Sequence, residues 1–259
     1  MFRRAARLCL AALLLLSVPL AAKPQPLAAN PLRVAAASDL RLALGDIAAQ
    51  FTRSGGGPVA LTFGASGTLA QQLQQGAPHD VFLSADESLA LRLADAGLTR
   101  GRGQVYAIGR LALVVRRDSG LSADLASLRA DLASGRITHM AIANPATAPY
   151  GQRAVQALTA TGVLPGASAK LVLGENVSQA LQFVASGAAQ AGVVSEALTR
   201  DPAIAAVIIA RPLPANLHAP LRQRLVVMKP AGPAAQRFAA YVTGPRGRAI
   251  LAAHGFALP

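Results

Sequence analysis

Four short segments of the sequence have the composition of turns that lead into helices. The first N–H groups of a helix have no partner inside it, and the helix dipole adds positive potential at that end. Such an end can bind an anion without a basic side chain, and the hydroxyls of Ser38 and Ser66 could each donate one further hydrogen bond. The four segments are Ala37-Ser38-Asp39, Ala65-Ser66-Gly67-Thr68, Pro149-Tyr150-Gly151 and Glu175-Asn176-Val177.

Each segment also has an ordinary structural explanation. Serine, aspartate and asparagine are common N-caps of helices, and glycine is common in turns. A shared anion site requires the fold to bring all four segments together, and their spacing along the chain does not show this.

The elements that would position these segments alternate between short apolar runs and amphipathic runs. This alternation is typical of parallel sheets covered by helices. We predict strands at residues 32–37, 59–63, 81–84, 137–143, 170–173, 190–194 and 204–209. We predict helices near residues 39–52, 68–75, 87–96, 122–133, 151–162, 177–186 and 234–253, and a loop at 144–151.

Two longer apolar runs, residues 105–117 and 221–228, are each long enough to pass from one sheet into another. If both cross, residues 113–223 form an inserted second lobe, and residues 30–112 with 224–259 form the first. The predicted fold is α/β, with two lobes, mixed sheets that carry helices on both faces, and a ligand cleft between the lobes. Open α/β sheets bind ligands at the carboxyl ends of their strands, which would face this cleft.

The N-terminus has the pattern of a secretory signal peptide. Arg3, Arg4 and Arg7 precede an apolar stretch at residues 8–20 that is too short to span a membrane comfortably. Small residues follow, so we expect residues 1–29 to be the signal peptide, with cleavage within 21–29. Cys9 is the only cysteine, and it lies inside this segment, so the mature protein is expected to have no thiol and no disulfide.

The charge favours anionic partners but not nucleic acid. The formal net charge is +13, and removal of the three N-terminal arginines leaves +10. Basic proteins attract anions over long distances. The arginines are scattered along the chain and only 4% of residues are aromatic, so the sequence lacks the basic and aromatic interleaving of single-strand binders.

The run Ala35-Ala36-Ala37-Ser38-Asp39-Leu40 resembles the first anion loop of periplasmic molybdate-binding proteins. Three further stretches match that family in order, and the similarity covers essentially the whole mature chain; they are FGASGTLA at 63–70, GAPHDVFLSAD at 76–86 and ENVSQAL at 175–181. The resemblance implies the type II periplasmic-binding-protein fold and a monomer that delivers molybdate or tungstate to an ABC importer. The implied partners are a membrane permease and its ATPase. It implies no enzyme activity, no cofactor and no direct metal ligand, because the metal is bound as its oxyanion.

The resemblance also implies the binding residues. Ser38 and Ser66 would donate hydroxyl and backbone hydrogen bonds to the oxyanion, and the backbone N–H groups of Tyr150 and Val177 would complete the shell. Ser195 stands where well-known family members have an anion-binding tyrosine. We hypothesise that the Tyr150 hydroxyl replaces that contact, with Ser195 as a possible additional ligand.

Asp39 decides between two classes of anion. Molybdate and tungstate are fully ionised near neutrality, so they accept hydrogen bonds and donate none, whereas hydrogen phosphate would favour a carboxylate in the site. We expect Asp39 to face outward or to cap its helix. The alternative is that Asp39 contacts the ligand and indicates a protonated anion. Sulfate and thiosulfate remain alternative ligands, because discrimination among tetrahedral dianions depends on cavity size.

A secreted serine hydrolase is the alternative of another class. Residues 64–67 resemble a nucleophile elbow around Ser66, although Thr68 replaces the second glycine of that motif. A triad would need a histidine beside Ser66, and His254 has the appropriate chain order. No P-loop motif occurs, and the histidines are not at metal-ligand spacing.

Overall fold

The computed structural model describes residues 30–259; the predicted signal peptide at 1–29, with Cys9, lies outside them. The strands are β1 (Leu32–Ala37), β2 (Val59–Gly64), β3 (Val81–Ser84), β4 (Gln104–Gly109), β5 (Leu111–Arg116), β6 (Met140–Ala143), β7 (Leu171–Gly174), β8 (Ala191–Ser195), β9 (Ile208–Pro212) and β10 (Leu221–Val227). The α-helices are α1 (Arg41–Phe51), α2 (Ser66–Gln74), α3 (Glu87–Asp95), α4 (Leu125–Ala133), α5 (Pro149–Ala160), α6 (Leu164–Ala167), α7 (Val177–Ala185), α8 (Pro202–Val207), α9 (Pro233–Thr243) and α10 (Pro245–Ala253).

The strands form two five-stranded sheets of the same design. The first has the order β2-β1-β3-β10-β4, and the second has the order β7-β6-β8-β5-β9. In each sheet three strands pair in parallel and the remaining two join antiparallel, so both sheets are mixed, as predicted. Strands β3 and β6 are buried along their whole length, because helices cover both faces of sheets of this kind.

The chain crosses between the two sheets at different places from those we predicted. The run 105–117 does cross, since β4 ends at Gly109 in the first sheet and β5 begins at Leu111 in the second. The run 221–228 does not cross, because β10 lies wholly in the first sheet between β3 and β4. Its apolar character reflects burial inside that sheet. The return crossing lies in residues 213–220, so the second sheet occupies residues 111–212 rather than 113–223.

Two local predictions were also wrong. Residues 204–209 were predicted as a strand, but α8 extends to Val207 and β9 begins only at Ile208. The side chain of Asp201 accepts a hydrogen bond from the Ala203 N–H (2.9 Å) and Pro202 starts the helix, and these are helix-starting signals that outweigh the apolar run. The predicted loop at 144–151 is shorter, because α5 already begins at Pro149.

None of the helices within residues 30–259 combines the length and the apolar character that crossing a bilayer requires.

The core of the first lobe provides a stability test. Leu44 is fully buried, whereas Leu258 in the same lobe is 36% exposed. We expect Leu44→Ala to lower the free energy of unfolding by about 2–5 kcal/mol, because it removes apolar contacts and leaves a cavity. Leu258→Ala is the matched control, with an expected loss of about 1 kcal/mol or less. Urea unfolding followed by circular dichroism measures both, and equal losses would contradict this assignment of the core.

Candidate functional site: an anion cradle between the lobes

The four segments meet around one small cavity between the two lobes. Its volume is about 10 Å³, which is room for roughly one water-sized sphere. The lining residues come from both lobes and are Ala37, Ser38, Asp39, Gly64, Ala65, Ser66, Ala85, Ala148, Pro149, Tyr150 and Val177. The structure therefore brings together Ser38, Ser66, Tyr150 and Val177, which the sequence separates by up to 139 positions.

The position of each segment follows from the sheets. Ser38 directly follows β1, Ser66 follows β2, and Tyr150 and Val177 come after β6 and β7. These strands run parallel to their neighbours within each sheet, so their carboxyl ends lie at one edge of it. This edge is where open α/β sheets place their ligands.

Of the four segments that line the cavity, only one is capped in the ordinary way, by a side chain that accepts hydrogen bonds from the first N–H groups of its helix. Asn176 is a true N-cap of α7, because its side chain accepts hydrogen bonds from the N–H groups of Ser178 and Gln179 (3.1 and 3.2 Å). The starts of α2 and α5 have no side-chain cap. Among the described residues, the N–H groups of Tyr150 and Val177 have no acceptor, so both are available to a ligand in the cavity that these residues line.

The two serine hydroxyls are buried and held in place. Ser66 Oγ accepts a hydrogen bond from the Ala85 N–H (3.0 Å), and Ser38 Oγ accepts one from the Ser178 N–H (3.3 Å). Because each oxygen acts as an acceptor towards the protein, its own hydrogen remains free to be donated. Two hydroxyl hydrogens and the N–H groups of Tyr150 and Val177 therefore surround the cavity, which suits the oxygens of an anion. In the described residues, His, Cys, Asp and Glu nowhere form a group of three that could hold a metal ion.

The prediction that Asp39 faces outward or caps its helix was wrong. Asp39 is buried, with only 1% of its surface exposed, and it is one of the residues that line the cavity. Oδ2 accepts hydrogen bonds from the Tyr150 hydroxyl (3.0 Å) and from Gln223 Nε2 (2.6 Å). Oδ1 is buried and has no hydrogen-bond partner within residues 30–259.

Burial determines the acidity of Asp39. It raises the pKa of this carboxyl from 3.8 to about 6, although the hydrogen bonds from Gln223 and Tyr150 act in the opposite direction. Burial, together with the charge of Asp39, holds the pKa of Tyr150 well above its ordinary value. Tyr150 therefore keeps its hydroxyl hydrogen and donates it to Asp39.

Gln223 and Tyr106 complete this polar cluster, and neither was predicted. The Tyr106 hydroxyl donates to Gln223 Oε1 (2.7 Å), and both side chains are buried. One signal was present in the sequence, because Gln223 interrupts the apolar residues of β10. A polar side chain in a buried strand requires a partner.

Ser195 is not among the residues that line the cavity. It ends β8 and is fully buried. Its Oγ makes no well-aligned hydrogen bond in the described part of the chain, but it lies near the Tyr150 hydroxyl; burial raises the pKa of that hydroxyl, and Ser195 acts in the opposite direction. The Tyr150 hydroxyl is bonded to Asp39, so its replacement of a family tyrosine remains a hypothesis.

Direct contacts join the two lobes around the cavity. The Gly67 N–H donates to the Thr147 carbonyl (2.9 Å), and Ser178 Oγ donates to the Ser38 carbonyl (3.0 Å). A Cβ atom at position 67 would lie 2.5 Å from the Thr147 oxygen. Position 67 therefore has to be glycine for the lobes to approach this closely.

The described residues do not have the serine–histidine contact that the hydrolase alternative requires. Ser66 Oγ has no histidine among its hydrogen-bond partners in residues 30–259. His254, which directly follows α10, instead bonds Asp46 of α1 through Nε2 (2.8 Å).

The family model for bacterial extracellular solute-binding proteins matches residues 32–257. The chain belongs to this family. Among its relatives is the molybdate-binding protein ModA of Azotobacter vinelandii, which is 34% identical over 89% of this chain and 91% of that protein. The molybdate-binding protein ModA of Rhodobacter capsulatus is 32% identical, over 89% of this chain and 90% of that protein.

A solved structure agrees with the family assignment. The periplasmic molybdate-binding protein of A. vinelandii has a TM-score of 0.79 to this chain, covering 88% of this chain and 99% of the other. The chain thus has the two-lobe type II fold of this family of solute-binding proteins.

The raised pKa of Asp39 predicts a pH-dependent stability. The folded state holds the Asp39 proton more tightly than the unfolded chain, so protonation favours folding and this benefit is lost as pH rises from about 4 to about 6. The shift corresponds to about 3 kcal/mol. In buffers free of oxyanions, we expect the Tm of the native protein minus that of Asp39→Asn to fall over this range and to level off above it. A constant difference would contradict a buried, proton-binding Asp39.

Proposed function

We propose that this chain captures molybdate or tungstate in the periplasm and delivers the anion to an ABC importer. The observation that carries the proposal is the convergence of four helix starts and two serine hydroxyls from both lobes on one buried cavity. The molybdate-binding proteins among its relatives support this choice of ligand.

In this proposal, each lobe supplies half of the shell. Ser38 and Ser66 of the first lobe donate their hydroxyl hydrogens, and Tyr150 and Val177 of the second lobe donate backbone N–H groups. A tetrahedral oxyanion has oxygens pointing in four directions, so donors on opposite walls can all be used.

Transport requires that the bound and free states differ. An anion that bonds both lobes stabilises the closed arrangement and leaves the open one unaffected. A permease that recognises the closed arrangement would therefore dock the loaded monomer, and its ATPase would drive release. Cleavage of residues 1–29 as a signal peptide would place the protein in the periplasm.

Calorimetric titration of the mature protein tests the ligand. We expect saturable one-to-one binding of molybdate and of tungstate, and little heat from sulfate or thiosulfate. Tight binding of phosphate would instead support the alternative in which Asp39 accepts the proton of hydrogen phosphate. Binding of sulfate or thiosulfate without molybdate would mean that the fold is right and the ligand wrong. Ester hydrolysis abolished by Ser66→Ala would point to the hydrolase.

Gly67→Ala tests whether closure of the lobes contributes to binding. The added methyl group would meet the Thr147 carbonyl across the lobe interface, so we expect the affinity for molybdate to fall by about tenfold or more. This corresponds to a loss of about 1.4 kcal/mol. Gly45→Ala is the matched control, because Gly45 lies within α1 and a Cβ atom there meets nothing within 4 Å. Equal affinities of the two variants would contradict this role of the interface.

A further inference from the structure

We propose that the site binds its oxyanion together with one proton, shared between Asp39 Oδ1 and the nearest oxygen of the anion. This inference rests on the proposed function and deepens it. It makes Asp39 a residue that determines specificity, and it makes the affinity of the protein for molybdate depend on pH.

The geometry of the carboxylate is the first argument. Asp39 Oδ2 already accepts two hydrogen bonds, from Tyr150 and Gln223. Oδ1 is buried and belongs to a residue that lines the cavity; the backbone N–H groups of Asp39 and Leu40 face the carboxylate, but none makes a well-aligned hydrogen bond to Oδ1. A buried polar atom without a partner is costly. An anion in the cavity can satisfy Oδ1 only if a hydrogen lies between the two oxygens, because both oxygens are acceptors.

The charge balance is the second argument. A dianion beside an ionised Asp39 would place like charges in contact in a buried site, where charge repulsion is strong. The groups that face the carboxylate are Tyr150 from α5, Gln223 from β10, and the backbone N–H groups of Asp39 and Leu40. Tyr106 of β4 lies behind Gln223.

None of these groups can neutralise the carboxylate. Burial raises the pKa of both tyrosines well above the ordinary value, so they are uncharged near neutrality. Among the described residues, no arginine or lysine hydrogen-bonds to Asp39. A proton is the remaining way to remove the repulsion, and burial already favours it by raising the pKa of Asp39. A bound dianion raises that pKa further.

The proton balance follows from the ligand. Molybdate is a dianion in neutral solution, so the proton comes from the solvent and is bound together with the anion. Above the pKa of Asp39 in the free protein, linkage then lowers the affinity by about tenfold for each unit of pH. The shared hydrogen bond also favours the more basic of two similar anions. Sulfate is a weaker base than molybdate and would therefore gain less from Asp39.

Titration of the native protein with sodium molybdate tests the inference directly. Calorimetry at pH 7.5 in Hepes and in Tris, two buffers with different heats of ionisation, measures the protons exchanged for each anion bound. We expect an uptake of about one proton, and an affinity that falls by about tenfold per pH unit between pH 7 and 9. Binding without proton uptake would overturn the inference and leave the proposed function intact.

The variant Asp39→Asn tests whether the proton that is taken up with the anion binds at Asp39. Asparagine has nearly the same shape and keeps an oxygen for the Tyr150 and Gln223 donors. We expect this variant to take up no proton and to show an affinity that does not change between pH 7 and 9. Asp95→Asn is the control, since Asp95 pairs with Arg102 on the surface, and it should keep the uptake of the native protein. Uptake that persists in Asp39→Asn would overturn the assignment.

A spectroscopic measurement on the native protein does not depend on a variant that folds. The carboxyl ¹³C resonance of Asp39 should show a protonated group at pH 7.5 in saturating molybdate, and an ionised carboxylate there would overturn the inference. Failure of both molybdate and tungstate to bind at any pH would instead overturn the proposed function, and this inference with it.

Discussion

The arrangement of the two lobes depends on backbone N–H groups at the starts of helices. These groups are buried where the two lobes meet. Buried donors need acceptors, yet the N–H groups of Tyr150 and Val177 have none among the described residues. Side-chain caps, the usual solution, are missing at α2 and α5. This explains why small residues surround the cavity, because a ligand must reach the backbone itself.

The same region contains the connection between the lobes. Gly109 ends β4, and a single residue separates it from β5 of the second sheet. A Cβ atom at Gly109 would lie 2.3 Å from the Tyr150 hydroxyl and 2.8 Å from Gln223 Nε2. The glycine therefore makes room for the hydrogen bonds that join Asp39, Tyr150 and Gln223. Because one of these side chains belongs to the second lobe and two to the first, the polar cluster depends on how the lobes are placed.

Secondary structure was predictable where local signals agreed. Residues 32–37 and 81–84 are short apolar runs with turn or capping residues after them, and both predicted strands match the observed bounds. Residues 204–209 combine β-branched residues with a helix start at Asp201 and Pro202, so the two local signals disagree. The run 221–228 was correctly predicted to be extended, but its sheet was not, because apolar composition reports burial and not the neighbouring strand.

The sequence by itself determined the chemistry that is available: two serines, four turns that precede helices, one nearby carboxylate, and a resemblance that indicated the family. Local patterns suffice for these, since a hydroxyl or a helix start belongs to a few consecutive residues. The tertiary structure alone decided that the turns converge, that Asp39 is buried, and that Gln223 bonds it across 184 positions of the chain. The burial and the raised pKa of Asp39 arise from atoms that packing brings together. Because these atoms belong to residues far apart in the chain, a local sequence pattern cannot predict how close they lie.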